Sequence, residues 1–387
     1  MLPKAESACF LIADICGYTS YLAGVELDHA QDIIADLMDT VVRCLRPPFR
    51  LAKFEGDAAF FCASCDMIDG SLLQDAIESA YFTFRKRLRN IEQATSCTCR
   101  ACHDMQHLDL KFVCHHGEFI KQRMAGRDEL AGRDVILVHR LLKNTVKDRL
   151  GDHAYALFSD SCMRAIAVDP AAQGLAAHEE TIDIIGGVAC WVRDLERAWT
   201  EEKARSRNIV TRNKAAHVIE FDIGAPRPQV WEYFTSPGQR PKWRGADEVR
   251  ESTSGGRRGV GTTNHCMHGP HAIIEEILDW RPFDYLTLTT LLPMPSAPKI
   301  LMSYAFSENG NSVTHIEIRI AKAKAKAKDM AFLEHAVAEF RKNITNEIAK
   351  LSQLFEHADN LEAVHDVPKP SVLAKRFFAS SRTAEAG

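Results

Sequence analysis

The chain has 387 residues, 46% hydrophobic and 26% charged, with a net charge of −4 at neutral pH. This is the balance of a globular protein with room for two or three domains of about 150 residues each. It exerts no global pull on nucleic acid or anionic membrane, and no run approaches the ~20 uninterrupted apolar residues of a membrane helix.

Residues 8–15 (ACFLIADI) form a short apolar run that predicts a buried strand. Asp14 interrupts it where a secretory leader would be continuously apolar, so a cytoplasmic protein is expected, its 12 cysteines reduced. Residues 27–46 place Ile33, Ile34, Leu37, Met38, Val41, Val42 and Leu45 on one helical face, and Pro47-Pro48 stop it. Residues 50–54 and 58–63 read as a hairpin turning at Glu55-Gly56-Asp57. Helices are expected over 71–92 and 133–148, and strands over 108–119, 153–159 and 178–193. The order predicts an α+β fold, a mixed sheet with helices on one face, over residues 1–195.

Residues 196–213 are highly charged with few apolar anchors and predict a helical linker. From 214 to 357 a strand (HVIEFDI), a helix (VWEYFTSP) and several strands lead to a long amphipathic helix. Its inward face would carry Phe332, Leu333, Ala336, Val337, Phe340, Ile344, Ile348, Leu351 and Phe355. Turns fall at Ser254-Gly255-Gly256 and Asn309-Gly310-Asn311, AKAKAKAK at 321–328 reads as an exposed edge or connector, and the tail 358–387 has the composition of disorder.

Two acids stand out. Asp14 ends the first strand and Asp57 sits in the hairpin turn, so neighbouring strands would bring both to one sheet edge. Paired carboxylates suit Mg²⁺ or Mn²⁺, which fills its remaining positions with phosphate oxygens and water. Taken singly, Asp14 also reads as a helix cap and Asp57 as a turn former. Gly17 and the helix start after it leave backbone amides open to phosphate.

The run FLIADICGYT resembles the first metal motif of class III adenylate and guanylate cyclases, and KFEGDA their second. GRDVILVHR (132–140) resembles the segment carrying their transition-state arginine, and ETIDIIGGVACWVRDL their final hairpin. The resemblance spans roughly residues 8–195 and implies a ferredoxin-like cyclase domain that works as a homodimer. It implies that Asp14, the Ile15 backbone and Asp57 hold two metals, and that Gly17, Tyr18 and Thr19 lie against the nucleotide. Lys53 and Glu129 would read the base, favouring ATP, and Arg140 would stabilise the transition state. Glu129 stands where the family has aspartate and also reads as a solvated loop acid; Ile136 stands where the family has a ribose-orienting asparagine. Asn144 offers an amide one turn beyond Arg140. Either slow conversion of ATP to cyclic AMP and pyrophosphate or nucleotide binding without turnover follows.

Residues 214–357, with Val230, Trp231, Phe234, Trp243, GVGT (259–262) and DWRP (279–282), resemble the helix-grip fold of START-like proteins and polyketide cyclases. That implies an apolar cavity for a hydrophobic small molecule that regulates the first domain, or chemistry or carriage within the cavity itself. Cys97, Cys99, Cys102 and His103 are a candidate structural Zn²⁺ set, but C-x-C-x₂-C is not the usual paired spacing and a polar thiol-rich loop is the alternative. His115 and His116 point to opposite faces of one strand, and His265, His268 and His271 read as exposed loop residues.

Overall fold

A computed structural model describes residues 4–94, 99–124, 126–151, 153–269, 271–291, 299–309, 312–322 and 327–362. In chain order the first half comprises β1 (Glu6–Cys16), α1 (Tyr18–Gly24), α2 (Leu27–Leu45), β2 (Arg50–Glu55), β3 (Ala58–Ser64), α3 (Gly70–Ala94), α4 (Arg100–Asp104), β4 (Asp109–Met124) and β5 (Arg127–Ala131). It continues with α5 (Arg133–Arg140), α6 (Val146–Leu150), β6 (Tyr155–Ser159), α7 (Asp160–Ala165), β7 (Ala176–Ile182), β8 (Gly186–Asp194) and α8 (Leu195–Ala204). The second half holds β9 (Ala215–Ile223), α9 (Arg227–Thr235), β10 (Glu248–Ser252), β11 (Thr263–His268), β12 (His271–Arg281), β13 (Tyr285–Leu291), β14 (Lys299–Glu308), β15 (Thr314–Ala321) and α10 (Ala327–Glu362).

The fold is α+β. The first sheet runs β2-β3-β1-β4-β6-β8-β7, with β5 paired to the far end of β4. Among the described residues only β4 and β6 pair in parallel. Alternation along β1 decides the layering. Leu11, Ala13 and Ile15 face α2 and α3, while Phe10 and Ile12 face α5 with Phe60 and Val113. The expectation of helices on one face is therefore corrected: α5 covers the opposite side. The helix expected over 133–148 breaks after Arg140, where Asn144 closes a turn onto the Leu141 carbonyl (2.7 Å).

α5 is pinned by a buried polar relay. His115 Nδ1 meets Ser159 Oγ at 2.8 Å, and its Nε2 lies 3.4 Å from Asp134 Oδ1. Asp134 also accepts the Glu118 amide at 2.7 Å. Burial holds the His115 pKa below its ordinary value, against the pull of Asp134, so the ring is neutral at neutral pH. Gly117 is required here because any Cβ would overlap the Asp134 side chain. Gly117→Ala is expected to lower stability by about 1–3 kcal/mol through this overlap, measured by urea unfolding; a change within experimental error would contradict it.

The second sheet is antiparallel throughout, in the order β10-β11-β12-β13-β14-β15-β9. Leu333, Ile344, Ile348, Leu351 and Phe355 of α10 are buried, but Phe332 is exposed, one helical step off the inward stripe. The helix runs to Glu362, past the expected end at 357. Residues 310–311, 323–326 and 363–387, where a turn, half of the alternating edge and most of the tail were expected, lie outside the described residues, and residues 327–328 of that edge open α10 instead.

The expected linker is part of the packing. α8 ends at Ala204, with Leu195, Ala198 and Trp199 buried against α3. After it, Asn208 donates its amide to Asp279 (2.7 Å) and Val210 to Ser303 (2.8 Å), fastening the chain to the second sheet. No helix among the described residues is long and apolar enough to cross a membrane.

Candidate functional site

Antiparallel pairing sets Asp14 opposite Ala58 on β3, the residue after Asp57, and the Ile15 amide donates to the Asp57 carbonyl (3.2 Å). The two aspartates thus meet where β1 ends and the β2–β3 turn begins. Burial raises the Asp57 pKa, and the negative charge of Asp14 raises it further. A partly buried carboxylate raised by a second carboxylate is a site that a cation would relieve.

One cation is already present in the chain. Lys111 lies directly opposite Asp14 on β4, and its Nζ is 2.8 Å from Asp14 Oδ2. The side chains are only 14% and 15% exposed, and Lys111 also donates to the Leu142 carbonyl (3.3 Å). The donor set therefore fits a hard divalent ion, and the ion would compete with this ammonium.

The same sheet face carries the expected base-reading residues. Lys53 opposes Phe60 and Glu55 opposes Ala58, both on the face covered by α5. Lys53 Nζ is 2.8 Å from Glu55 Oε1 and 3.6 Å from Glu129 Oε2, so the structure brings Lys53 and Glu129 together. The hydrogen bond to Glu55 leads in raising the Lys53 pKa, so the lysine is charged. His139 Nδ1 approaches Glu55 Oε2 to 3.1 Å, and its ring packs edge-on to Phe60, 4.8 Å between centroids.

Arg140 is exposed at the last position of α5 and makes no ion pair among the described residues. Ile136, one turn earlier, is 58% exposed. Asn144 cannot serve as a free amide: its Oδ1 accepts from Tyr155 Oη (2.8 Å) and the Val146 amide (3.1 Å). Gly17 caps α1 in the left-handed conformation (φ 84°), with the His107 carbonyl 3.2 Å from where a Cβ would stand. Ile15 is buried, Tyr18 half-buried and Thr19 exposed in the first turn of α1.

Cys99, Cys102 and His103 do not form a three-ligand group, and His103 Nδ1 is held by Asp104 (2.7 Å). Cys97 lies outside the described residues. The ligand-like cluster that the described residues do form is Glu220, His315 and Glu317, and Arg212 already pairs with both of its glutamates. His265 and His268 lie on β11 rather than in a loop and join no ligand-like group among the described residues; residue 271 opens β12 opposite residue 268.

In the second half the sheet, α9 and the segment after it leave a space of about 20 Å³, room for roughly one water. Its lining departs from the apolar cavity expected. Phe234, Trp243 and Trp280 form aromatic walls, but Arg240 and Glu275 sit among them as a buried bidentate pair (2.7 and 3.0 Å).

Residues 34–149 match the family described as "Protein of unknown function (DUF2652)". An uncharacterized protein of Mycobacterium tuberculosis is 41% identical over 113 residues, 29% of this chain and 52% of that protein, so the chain spans about half the length of the curated relative it matches. Among solved structures, the guanylyl cyclase Cya2 aligns over 50% of this chain and 93% of its own, with TM-score 0.36 and 13% identity. The adenylyl cyclase CyaB of P. aeruginosa aligns over 50% and 97%, with TM-score 0.37 and 16% identity. Protein MLL2253 of Mesorhizobium loti aligns over 36% and 96%, with TM-score 0.30 and 16% identity.

Proposed function

We propose that the first half is a metal-dependent nucleotide-binding domain of nucleotidyl cyclase type that converts ATP to cyclic AMP and pyrophosphate. The observation that carries this reading is the meeting of Asp14 and Asp57 at one sheet edge, with Lys53 and Glu129 paired on the face to which Asp14 belongs. A divalent ion bound there would polarise phosphate oxygens and neutralise the leaving pyrophosphate. The chain's own residues supply the rest. Asp14 and Asp57 would hold the ion, and Lys53 with Glu129 would present a donor and an acceptor to a base edge. Lys111, released from Asp14, keeps a positive charge beside the phosphates.

The exposed Arg140 would act on a nucleotide held by a second copy of the chain, which makes the homodimer the working unit. The chemistry is attack of the ribose 3′-oxygen on the α-phosphorus: one P–O bond forms, the bond to pyrophosphate breaks, and the 3′-hydroxyl proton goes to solvent. Catalysis would rest on positioning and charge neutralisation. The C-terminal half would act as a ligand-binding regulator. Incubation of the full chain with ATP and Mn²⁺ should yield cyclic AMP, read by chromatography; no product at any protein concentration would defeat turnover.

Ile136 favours a second reading, in which nucleotide binds without conversion. A hydrocarbon side chain cannot orient a ribose hydroxyl, and the loss of one aligned polar contact costs on the order of 3 kcal/mol of transition-state stabilisation. Nucleotide-dependent thermal stabilisation without product would select that reading.

Lys111→Met should separate the metal from its internal competitor. Mn²⁺ binding to the free protein is expected to tighten by about tenfold, the scale of one exchanged charge contact. Weaker Mn²⁺ binding in the variant would show that the lysine does not occupy the ion's place.

A further inference from the structure

The two halves are fastened to each other, and the seam leaves a cleft that the proposed chemistry does not use. The segment between β10 and β11 reaches into the first half. The Asp169 amide donates to the Gly255 carbonyl (3.1 Å), and a Cβ on Gly256 would overlap the Ala167 carbonyl. Arg258 donates its amide to Ser71 Oγ (2.7 Å), and Arg257 contacts Asp75 and Glu78 of α3, each at 2.8 Å. Trp280 of β12 donates its Nε1 hydrogen to Asp75 Oδ2 at 3.0 Å.

Beside this seam lies a cleft of about 780 Å³, with α3 and α8 on one side and residues 252–262 and 280–284 on the other. That volume falls within the range of small-ligand sites. Among its lining residues cations outnumber acids, seven to four, and six of the cations are arginines.

Three of the four acids are already neutralised. Glu78 is held by Arg193 (3.1 Å) and Arg257, and Glu202 by Arg205 (3.0 Å) and Arg281. Glu201 pairs with Arg197 at 2.8 Å, and Arg197 does not line the cleft. Asp284, exposed, has no ion pair among the described residues. Two guanidiniums on one carboxylate leave donors over, since each guanidinium carries five N–H groups. Arg257 and Arg258 are committed to buried carboxylates of α3 and α9. Lys86 and Arg207 are exposed and make no ion pair among the described residues; Lys86 lies over the Trp199 ring, 6.0 Å from its centroid. The cationic surface left open to a ligand is therefore Lys86, Arg193, Arg205 and Arg207.

These four stand on both sides of the seam. Lys86 and Arg193 belong to α3 and β8 of the first half. Arg205 donates to the Trp280 carbonyl (2.7 Å), and Arg207 precedes Asn208, whose amide donates to Asp279, so both are tied to the second sheet.

We propose that this cleft binds a small organic anion with an acidic group at each end, phosphate or carboxylate, Lys86 and Arg193 holding one end and Arg205 and Arg207 the other. The planar donor fork of arginine matches phosphate and carboxylate oxygens alike. The bound anion bridges the halves, whereas a molecule with one acidic group engages only one pair of cations. The cleft is distinct from the Asp14–Asp57 edge and from the water-sized space beside α9.

Fructose 1,6-bisphosphate and citrate serve as two-ended probes, glucose 6-phosphate as a one-ended phosphate and fructose as the uncharged control. In calorimetry on the full chain in metal-free, low-salt buffer, at least one two-ended probe should bind about tenfold tighter than glucose 6-phosphate. Fructose should not bind, and the tighter of the two-ended probes names the acidic group. Lys86→Gln combined with Arg207→Gln should weaken that binding at least about tenfold. Both side chains are exposed and unpaired, so the variant should fold. Arg123→Gln with Lys350→Gln removes the same charge from exposed positions outside the cleft and should change the affinity less than about twofold. Bound probe should slow amide exchange in residues 78–86 about fivefold. No binding by either two-ended probe, an affinity no better than that of glucose 6-phosphate, or an equal loss in the two double variants overturns the site. Binding with unchanged exchange in α3 overturns the bridge. No readout involves nucleotide or metal, so these failures are separate from failure of the cyclase reading.

Discussion

Arg257→Met is expected to destabilise the chain by about 3–5 kcal/mol at neutral pH, the range for removing one partner from a buried ion pair. Asp75 is 1% exposed, and without the guanidinium it and Glu78 would be neighbouring buried carboxylates with too little countercharge. Arg193, 3.1 Å from Glu78, and the more distant Arg258 would remain. In the native chain burial pushes Asp75 up to about 6 despite Arg257. Glu78 is also opposed by burial, yet Arg257 and Arg193 bring it down to about 2. The signs follow from linkage. Glu78, depressed from 4.5, contributes stability that is present above that value and lost as pH falls toward 2. Asp75, raised from 3.8, contributes stability that is present below that value and lost as pH rises through 6. Loss of Arg257 raises Asp75 further and lifts Glu78 from its depressed value, so the variant recovers stability in acid by taking up protons. Urea unfolding at pH 7.5 and pH 4.5 should therefore show a penalty clearly smaller at the lower value. An equal penalty at both, or one below about 1 kcal/mol at pH 7.5, would mean the arginine is not the group that makes this interface tolerable.

Asp14→Asn combined with Asp57→Asn is expected to weaken Mn²⁺ binding at least about a hundredfold, on the order of 1.4 kcal/mol for each tenfold step. The substitutions keep shape and remove two hard anionic ligands. Folding should survive, because Asn can fill both positions and the mutual repulsion that helps raise Asp57 disappears. Free Mn²⁺ measured by electron paramagnetic resonance, beside far-ultraviolet circular dichroism, separates ligand loss from unfolding. Unchanged Mn²⁺ affinity in a folded variant would place the ion elsewhere.

How much of this was legible depended on where the relevant neighbour lay. β1 and the β2–β3 hairpin were readable because apolar runs and a Gly-Asp turn are local signals; Asp57 falls in that turn, while Asp14 lies two residues before the end of β1 rather than at it. Lys111 was not singled out, although it is the residue nearest in charge and space to Asp14, because that depends on the β1–β4 register rather than on adjacency. The alternation of LDLKFV could have flagged it as a lysine on a face shared with Val113. Glu55 and His139 were missed for the same reason: an acid beside Lys53 and a histidine beside Arg140 look like surface residues until α5 is laid over β2 and β3.

The second half shows the opposite limit. Its strand–helix–strands–long helix order was plain, but the cavity's polarity was not. Arg240 and Glu275 lie 35 positions apart in sequence and form a pair only across the fold. Arg257 and Arg258 were not singled out, since nothing local distinguishes a solvated arginine from one that penetrates a neighbouring helix. The charged stretch after Asp194 was expected to be a linker for the same reason: Trp199, Arg205 and Asn208 are few anchors, yet each finds a buried or hydrogen-bonded place.

A crystal structure of the chain with a non-hydrolysable ATP analogue and Mn²⁺ tests the central claim most directly. Anomalous manganese signal is expected within bonding distance of the Asp14 and Asp57 carboxylates, with triphosphate oxygens on the same ion and Lys111 moved off Asp14. Nucleotide bound away from that strand edge, or manganese absent from both carboxylates while the nucleotide is present, would contradict it.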